Sequence, residues 1–205
     1  MRRITTRTVA PTAIAVPLAQ LKDQLRITSP AQDDYLIGIL KDAISWIEEH
    51  TGRSLMYQTW ELAIDLEGLV LESDQGLGSF IPLDRGPLYD SSPIVSIKYY
   101  SMADVEATMS PADYWVDVAG RRVVLKSFLS WPSDTRPLRS IVVSYLAGYS
   151  QADPEKIPRP IRRAILELAT YWFTNPSAVL VGSISKELEF GIREACWPFN
   201  LNLGF

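Results

Sequence analysis

The sequence predicts an α+β protein: a small helical bundle of about three main helices, an inserted antiparallel β region, and extended arms at both ends. Three observations carry this. Apolar residues recur with helical period before residue 56 and again after residue 158. Between those stretches the apolar period drops to two. The short β-branched and aromatic runs there are separated by Pro, Gly, Asp and Ser rather than by helices, which favours antiparallel pairing. The expected divisions are an N-terminal arm over 1–16, the first half of the helical part over 17–56, the β region over 57–150, the last helix over 158–176 and a C-terminal arm over 177–205.

The arm "MRRITTRTVAPTAIAVPLAQ" places arginines before small apolar residues, as a secretory leader does. Thr5, Thr6, Thr8, Thr12 and two prolines break up any apolar core, so it reads as an extended arm of a cytoplasmic product. "PLAQLKDQLR" sets Leu18, Leu21 and Leu25 on one face of a short helix that Pro17 can open. Ser29 then offers an N-cap and Pro30 a first helical residue, and Asp33 and Asp34 lie where the helix dipole favours acids. The helix from Pro30 to Thr51 shows the stripe Leu36, Ile39, Leu40, Ala43 and Ile47, with Asp42, Glu48 and Glu49 read as off it. Gly52 is the expected left-handed stop.

"QTWELAIDL" alternates Trp60, Leu62, Ile64 and Leu66 against polar or small neighbours. "SFIPL", "PIVSIKYYS", "DYWVDVAG", "RRVVLK" and "RSIVVSYLAGY" continue the series, with 118–121 as a hairpin turn. "IPRPIRRAILELATYWFTN" restores the helical period. Ile161, Ala164, Ile165, Leu168, Ala169 and Trp172 form its inner face, and Arg163 faces Glu167 one turn on. The last stretch carries Phe190, Trp197, Phe199 and Phe205, more aromatics than a free tail keeps.

Composition is that of an ordinary globular chain: 205 residues, 47% hydrophobic and 21% charged. The net charge of -4 argues against a dedicated nucleic-acid binder. The first 30 residues are basic (Arg2, Arg3, Arg7, Lys22 and Arg26 against Asp23). The next stretch is acidic (Asp33, Asp34, Asp42, Glu48 and Glu49 against Lys41), a pattern that could pair neighbouring copies or simply be solvated. No apolar run reaches the roughly 20 residues of a membrane span.

Little of the sequence offers reactive chemistry. His50 sits in the last turn of a helix, where it suits the exposed carbonyls better than acid–base work. One histidine and one cysteine, Cys196, are poor metal ligands, and Cys196 reads as a packed thiol, so no metal or other cofactor is expected. The glycine-rich "GLGSF" lacks the following helix of a phosphate loop. Paired carboxylates among Asp65, Asp84, Asp113 and Asp117 keep a hydrolase as the alternative. Trp60, Trp115 and Trp131 as stacking platforms would make a carbohydrate-binding module.

A helix ending in "WIEEHTGRSL", then "YQTWELAIDL", "PIVSIKYYS", "VVSYLAGYS" and "IPRPIRRAILELATYWF", resembles the head–tail connector proteins of tailed bacteriophages and gene transfer agents. The shared positions are Thr51, Gly52, Arg53, Leu55, Gln58, Thr59 and Trp60 at the helix-to-strand junction. They continue through Val143, Tyr145, Ala147, Gly148 and Tyr149, then Pro158, Ile161, Ala164, Ile165, Leu166 and Leu168. The resemblance implies a non-enzymatic adaptor at the head–tail interface of a virion or phage-like particle. Its partners would be the portal protein, neighbouring copies in a ring matching a twelve-fold portal, and a tail-proximal connector or stopper protein. Genomic DNA would pass through the lumen without specific binding, and no membrane would be involved. On this reading Gly52, Arg53 and Trp60 build an architectural junction. Arg53 would bond open helix carbonyls or an acidic neighbour. The aromatic end of the chain offers Leu180, Ile184, Leu188, Phe190, Trp197, Phe199 and Phe205 as candidate portal contacts.

Overall fold

The computed structural model describes residues 3–65, 80–126, 129–176 and 186–201. The chain divides into two compact units. One comprises residues 1–10 and 57–148, the other residues 11–56 and 149–205.

The first unit is built from antiparallel strands. They are β1 (Arg3–Val9), β2 (Gln58–Ile64), β3 (Phe80–Pro82), β4 (Ile94–Tyr100), β5 (Glu106–Thr108), β6 (Tyr114–Asp117), β7 (Arg122–Leu125) and β8 (Ile141–Ala147). A five-stranded sheet runs β1-β2-β8-β4-β5 and a three-stranded sheet runs β3-β7-β6. Alternation places Trp60, Leu62 and Ile64 beside Ile141, Val143, Tyr145 and Ile97 on one face. These share a single core with Ile81, Tyr114, Val123 and Leu125 of the smaller sheet. Full burial of each such aliphatic side chain is worth about 1.5–3 kcal/mol. The 118–121 turn joins β6 to β7: the Asp117 carboxylate accepts from the Gly120 N–H at 2.8 Å and from Arg122 Nε at 2.9 Å.

The second unit holds α1 (Leu18–Leu25), α2 (Asp33–Thr51), α3 (Arg159–Thr174) and α4 (Lys186–Cys196). The stripe Leu36, Ile39, Leu40, Ala43 and Ile47 of α2 meets Ile161, Ala164, Ile165, Leu168 and Ala169 of α3, with Leu21 of α1 beside them. Ser29 Oγ accepts from the Ala31 N–H and opens a short 3₁₀ turn (Pro30–Gln32) ahead of α2.

Three expectations need correction. The N-terminal segment is not an arm: β1 pairs with β2 in register from Arg3↔Ile64 to Val9↔Thr59. Its polar side chains find partners, Arg3 and Thr5 on Asp84 and Arg7 on Gln58. Residues 15 and 16 are buried in the helical core. The C-terminal stretch is not arm throughout either. Its helix α4 buries Ile192 and Cys196, one turn apart, against α3. Finally, Glu48 is not on the solvent face of α2 but is 6% exposed.

Candidate functional site

The resemblance centres on the end of α2. Gly52 stops the helix with φ 69°, left-handed backbone that glycine adopts at low cost. Thr51 Oγ1 donates to the Ile47 carbonyl at 2.7 Å and accepts from the Arg53 N–H at 3.3 Å. The buried Glu48 carboxylate accepts from the Leu55 N–H at 2.7 Å and so satisfies an amide of the turn. The open Thr51 carbonyl takes the Leu201 N–H at 2.7 Å.

Arg53 therefore does not bond a carbonyl of its own helix end. Its Nη1 donates to the Tyr149 hydroxyl at 2.8 Å and its Nε to the Phe199 carbonyl. The guanidinium lies 5.8 Å and 5.9 Å from the centroids of those two rings. Burial raises the Tyr149 hydroxyl pKa above its ordinary value, and Arg53 works against that rise. One cation thus ties the α2 terminus to the strand exit at Tyr149 and to the turn after α4. Sequence reasoning missed Glu48 and Tyr149 as members of this cluster. A signal for Glu48 existed: it lies four residues after Ile44 and eight after Leu40, at the edge of the apolar stripe.

Trp60 anchors the first core strand of the β unit, with the Arg85 guanidinium 4.7 Å above its ring centroid. His50 stacks on Trp46, centroids 5.1 Å apart and rings 11° from parallel. Cys196 is fully buried, and burial pushes its thiol pKa up to about 11, far from a nucleophile's range. The four aspartates do not converge on shared partners. Asp84 holds Arg3 and Thr5, Asp65 accepts from the Arg139 N–H, and Asp117 serves its own hairpin. The Asp113 carbonyl takes the Lys126 N–H. Trp60 and Trp131 are buried, so neither is a stacking platform, while Trp115 is exposed beside Lys126.

A cavity of about 330 Å³ lies on the five-stranded sheet, lined by Glu61, Ser96, Lys98, Tyr100, Arg139 and Ser144 among others. Its charges are mutually neutralised: Lys98 pairs with Glu106 at 2.8 Å and Arg139 with Glu61 at 2.7 Å. Lys98 and Tyr100 both bond the Glu106 carboxylate, which holds its pKa below the usual range. Among the described residues no cluster of His, Cys, Asp and Glu could hold a metal ion.

Of the seven candidate portal contacts, Leu180, Ile184 and Phe205 lie outside the described residues, and Leu188 falls on α4. Phe190 and Trp197 are 66% and 60% exposed. Phe190 lies on α4, and Trp197 begins the 3₁₀ turn (Trp197–Phe199) that follows it. Phe199 instead packs half-buried against the helical core under Arg53.

A family model for the phage gp6-like head-tail connector protein matches residues 16–75, the segment that holds α1, α2 and the junction. Solved structures share the fold over nearly the whole chain. A chain from the neck of an empty gene transfer agent particle, computed with C6 symmetry, matches with TM-score 0.75 and 18% identity, covering 98% of this chain and 97% of that one. A chain from the virion of a native gene transfer agent particle gives 0.74 at 18% identity over the same shares. A chain from a native neck computed with C12 symmetry gives 0.72 at 17%, again over 98% and 97%. No curated protein matches the chain. The family match covers the first helices and the junction, and the solved structures show that the fold of nearly the whole chain is shared.

Proposed function

We propose that this protein is a ring-forming adaptor of a phage-like particle, seated beneath the portal and joining capsid to tail, with the genome passing through its lumen. The observation that carries the reading is the correspondence of almost the entire chain, both units included, with a neck component. The C6 and C12 symmetries of those necks support copies arranged in a ring. The net charge of -4 suits a channel that must let DNA slide, since lysines and arginines on phosphates would slow it. A tail-proximal connector would bind below the ring. The exposed pair Phe190 and Trp197 is the proposed portal contact, because aromatic anchors dominate interface energetics.

The test is to mix the protein with purified cognate portal and follow size by light scattering. Co-migration as a stoichiometric ring supports the adaptor role. Free protein that ignores the portal at all ratios contradicts it.

A further inference from the structure

We infer that the helical unit carries both halves of a head-to-tail contact between copies of this chain: the acidic solvent face of α2 in one copy against the basic start of α3 in the next. The inference rests on the ring reading above and names the surfaces that would close such a ring.

The acidic half lies opposite the buried stripe of α2. Asp34, Gly38, Asp42, Ser45 and Glu49 succeed one another at spacings of three and four, which aligns them along one exposed face. Asp34 and Asp42 have no hydrogen-bond or ion-pair partner among the described residues. Asp33, beside them, is spent on Lys22 at 2.6 Å. Among the described residues of α2, Lys41 is the exposed cation. Gly38 has nothing within 4 Å of where a Cβ would stand, so a partner side chain could approach the helix backbone there.

The basic half is built against local electrostatics. Helix N-termini favour acids, yet the first turn of α3 has none and carries Arg159, Arg162 and Arg163 after Lys156. Arg162 is held by Glu155, and Arg163 pairs with Glu167 at 2.7 Å. The side chains of Lys156 and Arg159 have no partner among the described residues. Asp153 caps the short turn ahead of α3, its carboxylate accepting from the Glu155 N–H at 3.0 Å. Cations placed where the helix itself disfavours them mark a surface kept for something outside the chain.

Geometry makes the two halves a ring contact rather than a two-fold one. α2 and α3 pack against each other through their apolar stripes, so their solvent faces point away from one another. Arg159 and Arg163 sit opposite Ile161, Ile165 and Leu168, as Asp34 sits opposite Leu36, Ile39 and Leu40. Complementary patches on opposite sides of one rigid unit join copies head to tail, the arrangement that closes into cyclic rings. Within the basic N-terminal segment, Arg3, Arg7 and Lys22 are engaged within their own chain.

The test uses full-length protein on purified portal, with a carbodiimide that joins amines to adjacent carboxylates. A mixture of light and heavy isotope-labelled chains identifies joints between copies. The expected product links Lys156 of one copy to Asp34 or Asp42 of another. Asp34→Lys/Asp42→Lys makes both faces basic, and Lys156→Glu/Arg159→Glu makes both acidic. With unchanged circular dichroism, each alone should lose ring assembly roughly tenfold, and an equal mixture of the two should recover it as an alternating ring. Rings formed equally well by wild type and both variants would overturn the proposed surfaces and leave the ring intact. A wild-type protein that forms no ring on portal would overturn the adaptor reading itself.

Discussion

Replacing Glu48 by alanine isolates the junction that ends α2. The carboxylate is buried and accepts the Leu55 N–H at 2.7 Å, and Leu55 is fully buried. Truncation leaves that amide without its acceptor in a place water does not reach. An orphaned buried donor costs about 1–3 kcal/mol, so roughly 2 kcal/mol is expected here. For a chain of this length each kcal/mol moves Tm by about 2–4 °C, which gives a fall of roughly 4–8 °C. Thermal unfolding followed at 222 nm reads the helical unit that contains the site. Glu48→Gln retains an acceptor oxygen and should recover most of the loss. Glu48→Ala melting within about 1 °C of wild type would show that the turn does not depend on this bond, and the reasoning would fail.

Other outcomes follow from the same structure. Native Cys196 should resist a thiol reagent at neutral pH and react only after denaturation, because its thiol is buried with a pKa near 11; fast labelling of folded protein would contradict this. On the adaptor reading, His50→Gln and Cys196→Ser should leave particle assembly near wild type, since His50 stacks on Trp46 and Cys196 is buried in the helical core. A stably folded His50 variant with a large assembly defect counts against the structural reading. The Asp117 carboxyl is held below its ordinary value of 3.8, first by the Gly120 N–H and then by Arg122. Its contribution to the β6–β7 hairpin is therefore present above that value and lost as pH falls through the lowered one, which hydrogen exchange of the hairpin amides can follow. Gly120→Ala would set a Cβ 2.3 Å from Asp117 Oδ2, the oxygen that accepts from Arg122 Nε, and so disturb that bond at a cost of about 1 kcal/mol in urea unfolding. Phe190→Ala/Trp197→Ala should fold and melt as wild type yet bind portal more weakly; unchanged binding removes the proposed contact.

Periodicity made most of the fold legible. The α2 and α3 stripes needed only the spacing of Leu36, Ile39, Leu40 and Ala43, and of Ile161, Ala164, Ile165 and Leu168, because a buried helix face leaves no other pattern. β1 was illegible for the converse reason. In "RITTRTV" Arg3, Thr5 and Arg7 stand on the face that pairs with Ile64, Leu62 and Trp60, so neither face alternates apolar with polar. Its strand character depends on the open edge of β2 and on Asp84, both distant in sequence. Helix α4 has Gly191 in its middle and buries only a narrow line, so aromatics dominated the reading of that segment. At the junction the glycine stop was legible from residue type. The partners of Arg53 were not, since Tyr149 and Phe199 lie 96 and 146 residues away and only tertiary packing brings them together.

The proposed place of this chain is the particle neck, in a ring between portal and tail. Electron cryomicroscopy of particles carrying a tagged copy tests it most directly. The expected result is a ring of density beneath the portal into which both units of the fold dock, with the tag at that level alone. Particles whose neck lacks the chain, or a tag found on the capsid shell or the distal tail, would contradict it.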